Sequence, residues 1–216
     1  MRALVIYCHP QEGSFNAAIR DLVLAKLRGA GAEVRLRDLY REGFAPVLTP
    51  QEWGGYLDAP GNRAPVADHV DDIGWCDTLI FVYPTWWYGL PAMLKGWLDR
   101  VLLPDVAFLM PDATHKTIRP GLGHVRRLGV FTTCGASWWL TLLVGAPGRR
   151  QLMSGVGWLC PPGRRSVFAA HYLMDSSTPA SRKRHLARVA QKMDRLIGRR
   201  VAVELPREGQ MKEAAE

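Results

Sequence analysis

Residues 3–7 read ALVIY, and residues 77–83 read DTLIFVY; in both, apolar side chains follow one another without polar alternation. Successive side chains of a strand point to opposite faces, so a strand that is apolar at every position must be covered on both. An open sheet with one wet face does not satisfy such strands. The intervening segments supply the cover. Ile19, Leu22, Val23 and Leu27 recur at helical spacing between Ser14 and Ala30, with Gly31 as the stop. VRLRDL at 34–39 alternates like an edge strand, and PAMLKGWLDRVL at 91–102 predicts a helix. GHVRRLGVFTT gives a strand near 126–132, a helix is predicted over about 147–156, RSVFAAHY gives a strand near 166–171, and a basic helix follows from about 180. This alternation predicts an α/β fold: a parallel sheet with helices on both faces. Ligands of such folds gather beyond the carboxyl ends of the strands, which directs attention to 8–16, 83–90 and 132–140.

Bulk properties remove several alternatives. The chain has 216 residues, 48% of them hydrophobic, enough for one domain with a real core. No apolar run has the length of a membrane span, and MRALVIYCHP lacks the hydrophobic region and cleavage site of a secretory leader. Cys8, Cys76, Cys134 and Cys160 are too far apart for a metal knuckle or a CxxC pair, so reduced thiols in a cytoplasmic protein and no metal are expected. The formal charge is +8, but residues 182–200 hold eight Lys or Arg against one Asp. Leu186, Val189, Ala190, Met193, Leu196 and Ile197 form an apolar stripe there, so the excess reads as the solvated face of a helix and not as a nucleic-acid or membrane surface.

Three loops carry the candidate chemistry. In CHPQEGSFNAAI, Ser14 and Asn16 precede a helix and either cap it or present it to an anion. His9, at the end of a strand, either bonds a ligand phosphate or anchors the turn. The loop is neither GxGxxG nor GxxxxGK[ST], which disfavours a Rossmann dinucleotide site and a nucleoside triphosphatase. In YPTWWYGLP, Pro84 fits just past a strand end. Trp86, Trp87 and Tyr88 offer aromatic walls, with Trp87 the one expected to turn its ring into the core. FTTCGASWW has small residues that let a backbone approach a ligand plane. Cys134 within it lacks the base and orienter of an activated nucleophile. An anion cradle, an aromatic wall and a close-approach backbone suit a flat, phosphate-bearing cofactor, a flavin.

HPQEGSFNAAI at 9–19, YPTWWYGLPAMLKGWLDRVL at 83–102 and TTCGASWW at 132–139 resemble the flavodoxin-like NAD(P)H:quinone oxidoreductases, a group that includes mammalian quinone reductase and bacterial modulator-of-drug-activity-type enzymes. The resemblance runs over roughly residues 2–197. It implies a three-layer fold with a five-stranded parallel sheet in order 2-1-3-4-5, a homodimer, FAD (alternatively FMN), and NADH or NADPH as co-substrate. The implied activity is two-electron reduction of a quinone or another aromatic acceptor. His9, Ser14, Phe15, Asn16 and Ala17 would surround the flavin phosphates. Pro84, Thr85, Trp86, Trp87 and Tyr88 would line the isoalloxazine, and Thr132, Thr133 and Gly135 its other edge. Trp138 or Trp139 would close the substrate side. Mammalian quinone reductase follows its corresponding loop with a tyrosine and a histidine implicated in hydride transfer; ASWWLTLLVGAPGRR contains neither. No catalytic side chain is therefore assigned.

An azo- or nitro-compound reductase could use the same loops, and a flavodoxin-like electron carrier or regulatory subunit is the non-enzymatic alternative. The insertion LLPDVAFLMPD at 102–112, with TIRPGLGH after it, is expected to wall a substrate pocket and extend a dimer interface. The aromatic and Met-rich residues 86–110 supply apolar material for that interface. The expected organisation is one flavin-binding domain over 1–200 and a tail over 201–216.

Overall fold

The computed structural model describes residues 1–198. The tail expected at 201–216, and the last two residues of the expected domain, lie outside the described residues. The chain begins with β1 (Arg2–Tyr7), α1 (Phe15–Arg28) and β2 (Glu33–Asp38). After α2 (Pro50–Gly54) and a 3-10 turn come α3 (Ala67–Trp75), β3 (Thr78–Thr85) and α4 (Ala92–Val101). A two-residue ribbon, β4 (Phe108–Leu109) with β5 (Arg119–Pro120), precedes β6 (Arg127–Cys134) and α5 (Trp138–Leu143). Then α6 (Pro147–Arg150) runs through a π turn into α7 (Gly157–Leu159), and β7 (Arg165–His171) and α8 (Pro179–Ile197) complete the fold. The main sheet has five strands in order β2-β1-β3-β6-β7, all parallel. Counting only its own strands, this is the expected 2-1-3-4-5.

The uninterrupted apolar strands are covered on both faces. Ala3, Val5 and Tyr7 of β1 and Ile80 and Val82 of β3 pack under α1 and α8, against Ile19, Val23, Leu27, Val189, Met193 and Leu196. The alternate residues, Leu4, Ile6, Leu79, Phe81 and Tyr83, meet Val70 and Ile73 of α3 and Leu94, Trp97, Leu98 and Val101 of α4. Each such fully buried side chain contributes about 1.5–3 kcal/mol of transfer free energy.

Some elements were not foreseen. Residues 67–75, ADHVDDIGW, form α3 although three aspartates interrupt the apolar pattern. Asp72 is buried there, held by Arg35 Nη1 at 2.7 Å and Arg37 Nε at 2.5 Å from the edge strand β2. The polar positions of VRLRDL thus serve packing against a neighbouring helix. Pro84 lies inside β3, not past its end, paired in register with Thr133. Its missing N–H does no harm because β1 has already finished. The pairing of β1 with β3 ends at Tyr7 and Val82, and the last backbone bond runs from Cys8 N to the Val82 carbonyl. Residue 84 presents its nitrogen to that same side, beyond the ladder.

Candidate functional site

β1, β3, β6 and β7 end side by side over a hollow of about 690 Å3. This is where chain order reverses across the sheet: β1 is followed by β2 on one side and neighbours β3 on the other. On one wall stands the start of α1. Ser14 is its N-cap, with extended backbone and a side-chain oxygen that accepts from Ala17 N at 3.1 Å. The amides of Phe15 and Asn16, one residue earlier in the turn, have no protein acceptor among the described residues. They are the donors a helix start offers to an anion.

Asn16 is buried and donates from Nδ2 to Thr133 Oγ1 at 2.9 Å, tying α1 to the end of β6. Its Oδ1 is buried without a partner, a polar atom left for a ligand donor. His9 performs the structural role: its Nδ1 lies 3.0 Å from Gln11 N and 3.2 Å from the Gln11 carbonyl oxygen and closes the turn. Its Nε2 has no hydrogen-bond partner among the described residues. Burial lowers the pKa of His9, partly offset by its bond to the Gln11 backbone. The His9 ring lies 6.4 Å from that of Trp86.

The opposite wall is the turn after β3. Gly89 N donates to the Trp86 carbonyl at 3.0 Å, and Trp87 and Tyr88 between them have φ of 50° and 63°. Two consecutive positive φ values with that bond make a type I′ turn, a conformation that favours Asn-Gly. Trp87 is therefore carried outward and is 95% exposed. The expectation that its ring enters the core is overturned: the helix that follows fills the core with Leu94 and Trp97, leaving no place for it.

Of the residues anticipated from sequence, His9, Ser14, Phe15 and Asn16 line the hollow with Pro84, Thr85, Trp86, Trp87 and Tyr88, and Thr133 and Gly135 complete the set. Ala17 does not; its side chain packs into the core beneath α1. Thr132 does not either, because strand alternation turns it to the other face, where its hydroxyl meets that of Thr85 at 2.8 Å. Trp138 and Trp139 open α5 with 60% and 62% exposure and do not line the hollow, whereas Leu140 does. No residue of the insertion 102–125 lines it. Leu103, Ala107, Leu122 and Val125 are instead buried in the chain's own core. The large apolar side chains of 93–103 are likewise used internally, so within 86–110 the exposed large hydrophobics are Trp86 and Trp87, and Trp138, Trp139, Leu142 and Leu143 of α5 stand exposed as well.

Met174 and Asp175 also line the hollow and were missed, although they follow β7 and fall under the same carboxyl-edge rule as the other loops. Asp175 lies over Gly135, where an added Cβ would stand 2.7 Å from its Oδ2. Cys134 is buried with its sulfur 3.7 Å from Thr141 Oγ1. Burial pushes the Cys8 and Cys76 thiols up to about 12 and Cys160 to about 11, so these three are inert. Among the described residues no group of His, Cys, Asp or Glu could hold a metal ion, and no helix is long and apolar enough to cross a membrane.

Fold and hollow together define a doubly wound α/β protein with its ligand crevice at the switch point of the sheet. Residues 1–193 match the family model described as the flavodoxin-like fold, and the chain belongs to that family. Among its relatives is the ribosyldihydronicotinamide dehydrogenase (quinone) of Pongo abelii, 31% identical over 126 residues, a match covering 51% of this chain and 54% of that protein. YcaK of Escherichia coli, named as an uncharacterized NAD(P)H oxidoreductase, is 35% identical over 108 residues, covering 50% and 55%. The chain thus spans about half the length of these curated relatives. The crystal structure of Smu.1420 from Streptococcus mutans superposes with a TM-score of 0.74 at 27% identity, covering 90% of this chain and 100% of that one.

Proposed function

We propose that the crevice binds a flavin and that the protein is an NAD(P)H oxidoreductase reducing quinones. The carrying observation is the convergence, in one hollow, of unpaired amides at the start of α1 with an exposed tryptophan wall. The names of the two relatives, a dehydrogenase (quinone) and an NAD(P)H oxidoreductase, support the activity. A flavin held there would supply two-electron redox chemistry between NADH or NADPH and the acceptor.

The chain's part is to bind and orient. The amides of Phe15 and Asn16 would donate to phosphate oxygens, with the His9 ring beside them. The orphaned Asn16 Oδ1 would accept from a hydroxyl, and the glycine at 135 lets the backbone of 133–136 approach a ring. Trp86 and Tyr88 would exclude water from one side. FAD is favoured over FMN by a second hollow of about 320 Å3 beyond Phe15. Phe15 separates it from the crevice, packing against His171 and His185, and Ser176, Ser177, Arg184 and Arg188 line it with groups suited to a diphosphate. The purified chain is expected to carry flavin or to take it up stoichiometrically, and to oxidise NADH or NADPH with a quinone. Chromatography of the released cofactor separates FAD from FMN. A folded preparation that binds neither ends this reading.

A homodimer is part of the proposal. Trp87 at 95%, Trp138, Trp139 and Leu143 at 75% exposure form an apolar surface around the crevice mouth, of the composition that interface cores favour. Light scattering should give twice the chain mass, and a monomer mass independent of concentration would refute the dimer. The four buried cysteines form no disulfide, which supports a reducing, cytoplasmic setting. The basic face of α8 is read as solvated, with no nucleic-acid role.

A further inference from the structure

At the amino edge of the sheet, away from the crevice, β6 and β7 begin with paired arginines. Arg127 and Arg165 are register partners on adjacent parallel strands, and Arg126 and Arg164 precede them. The eight residues of β6 separate this edge from Cys134 by on the order of 20 Å. With the turn Pro161-Pro162-Gly163, the four arginines enclose a hollow of about 240 Å3. Like charges placed directly opposite on neighbouring strands cost stability.

Among the described residues one carboxylate, that of Asp77, pairs with any of the four cations. Asp77 Oδ1 lies 3.4 Å from Arg127 Nη1, and Asp77 also accepts from Arg2 N at 3.1 Å and from Thr78 Oγ1 at 2.7 Å. Arg126, Arg164 and Arg165 form no ion pair among the described residues. The Nε of Arg127 and the Nε of Arg164 are both buried without an acceptor. Arg164 is fixed by its bond from Nη2 to the Met153 carbonyl at 3.3 Å, and its guanidinium leaves no room for a side chain at Gly157. Arg165 lies against Gly198 at the end of α8. Buried donors without acceptors are costly, and preorganised guanidinium forks match the oxygens of phosphate.

We propose that this hollow is a second binding site, for a phosphate-bearing anion, distinct from the crevice. It is independent of the flavin reading. The test is calorimetric titration of the full-length protein with sodium pyrophosphate and, separately, with ADP, at ionic strength fixed with sodium chloride. One saturable pyrophosphate site is expected, weakened about tenfold in Arg126→Gln, the loss of one charge-assisted contact. Arg127→Gln is the second variant, with its fold checked by thermal melting. Lys183→Gln, on the exposed face of α8, should bind as the parent does. Tighter binding of ADP than pyrophosphate, lost in Arg126→Gln, would point to a nucleotide as the source of the phosphate. Equal or weaker binding would point to free phosphate or diphosphate. The proposal is overturned if pyrophosphate gives no saturable heat, or if Arg126→Gln and a folded Arg127→Gln both bind like the parent.

Discussion

Gly96→Ala should destabilise the protein by about 2–4 kcal/mol, even though alanine is the better helix former by about 1 kcal/mol. Gly96 is in the middle of α4, buried against the loop that leaves β2. A Cβ there would stand 2.5 Å from the Cα of Pro46 and closer still to its carbonyl oxygen. Backbone, not a side-chain tip, would have to move. The loop cannot retreat easily because Arg100, one turn on along α4, clamps it. Its Nη1 donates to the Ala45 carbonyl at 2.5 Å, its Nε reaches Glu52 Oε1 at 2.9 Å, and its guanidinium lies 5.3 Å from the Phe44 ring centroid. For a chain of this size the melting temperature should drop by roughly 5–15 °C. Scanning calorimetry measures it; a variant that melts with or above the parent would mean that residues 44–47 do not rest on α4.

The second large effect concerns ligand affinity. Gly135→Val should weaken flavin binding about a hundredfold, roughly 3 kcal/mol, while leaving the melting temperature of the flavin-free protein nearly unchanged. The added Cβ would meet only the carboxylate of Asp175, the far end of an exposed side chain, at the wall of the crevice. It would occupy the space through which the backbone of 133–136 is proposed to approach the ring. Fluorescence titration of the flavin-free variant reads the affinity directly, without recourse to turnover. Undiminished affinity would remove the β6 loop from the cofactor site and leave α1 and the aromatic turn to account for binding.

How far the sequence could be read depended on which physical signal each element carries. β1 and β3 were legible because uninterrupted apolar runs have few uses other than a doubly covered strand. The start of α1 was legible because serine before a helical pattern is a cap whatever lies around it. By contrast α3 was hidden, since Asp72 owes its burial to Arg35 and Arg37, more than thirty residues away in sequence. The insertion LLPDVAFLMPD at 102–112, with TIRPGLGH after it, suggests a pocket wall because apolar content does not say which surface it covers; Leu103, Ala107 and Leu122 cover the chain's own core. Thr132 and Thr133 were taken together, though strand alternation sends only one of them to the crevice. Trp87 failed for a related reason. Hydrophobicity predicts burial on average, but the turn at 86–89 holds the Trp87 side chain at the surface whatever its character.

The turn at 86–89 sets two kinds of fitness against each other. Its left-handed backbone at Trp87 and Tyr88 is one that asparagine and glycine adopt readily and bulky aromatics do not, at about 1–2 kcal/mol per residue. A designer seeking heat resistance would write Asn-Gly there and gain stability at once. The same edit would strip the crevice of Trp87 and Tyr88, two of the residues that line it. Any thermostable variant selected without a ligand present is thus drawn toward this spot, and selection for recognition pulls the other way.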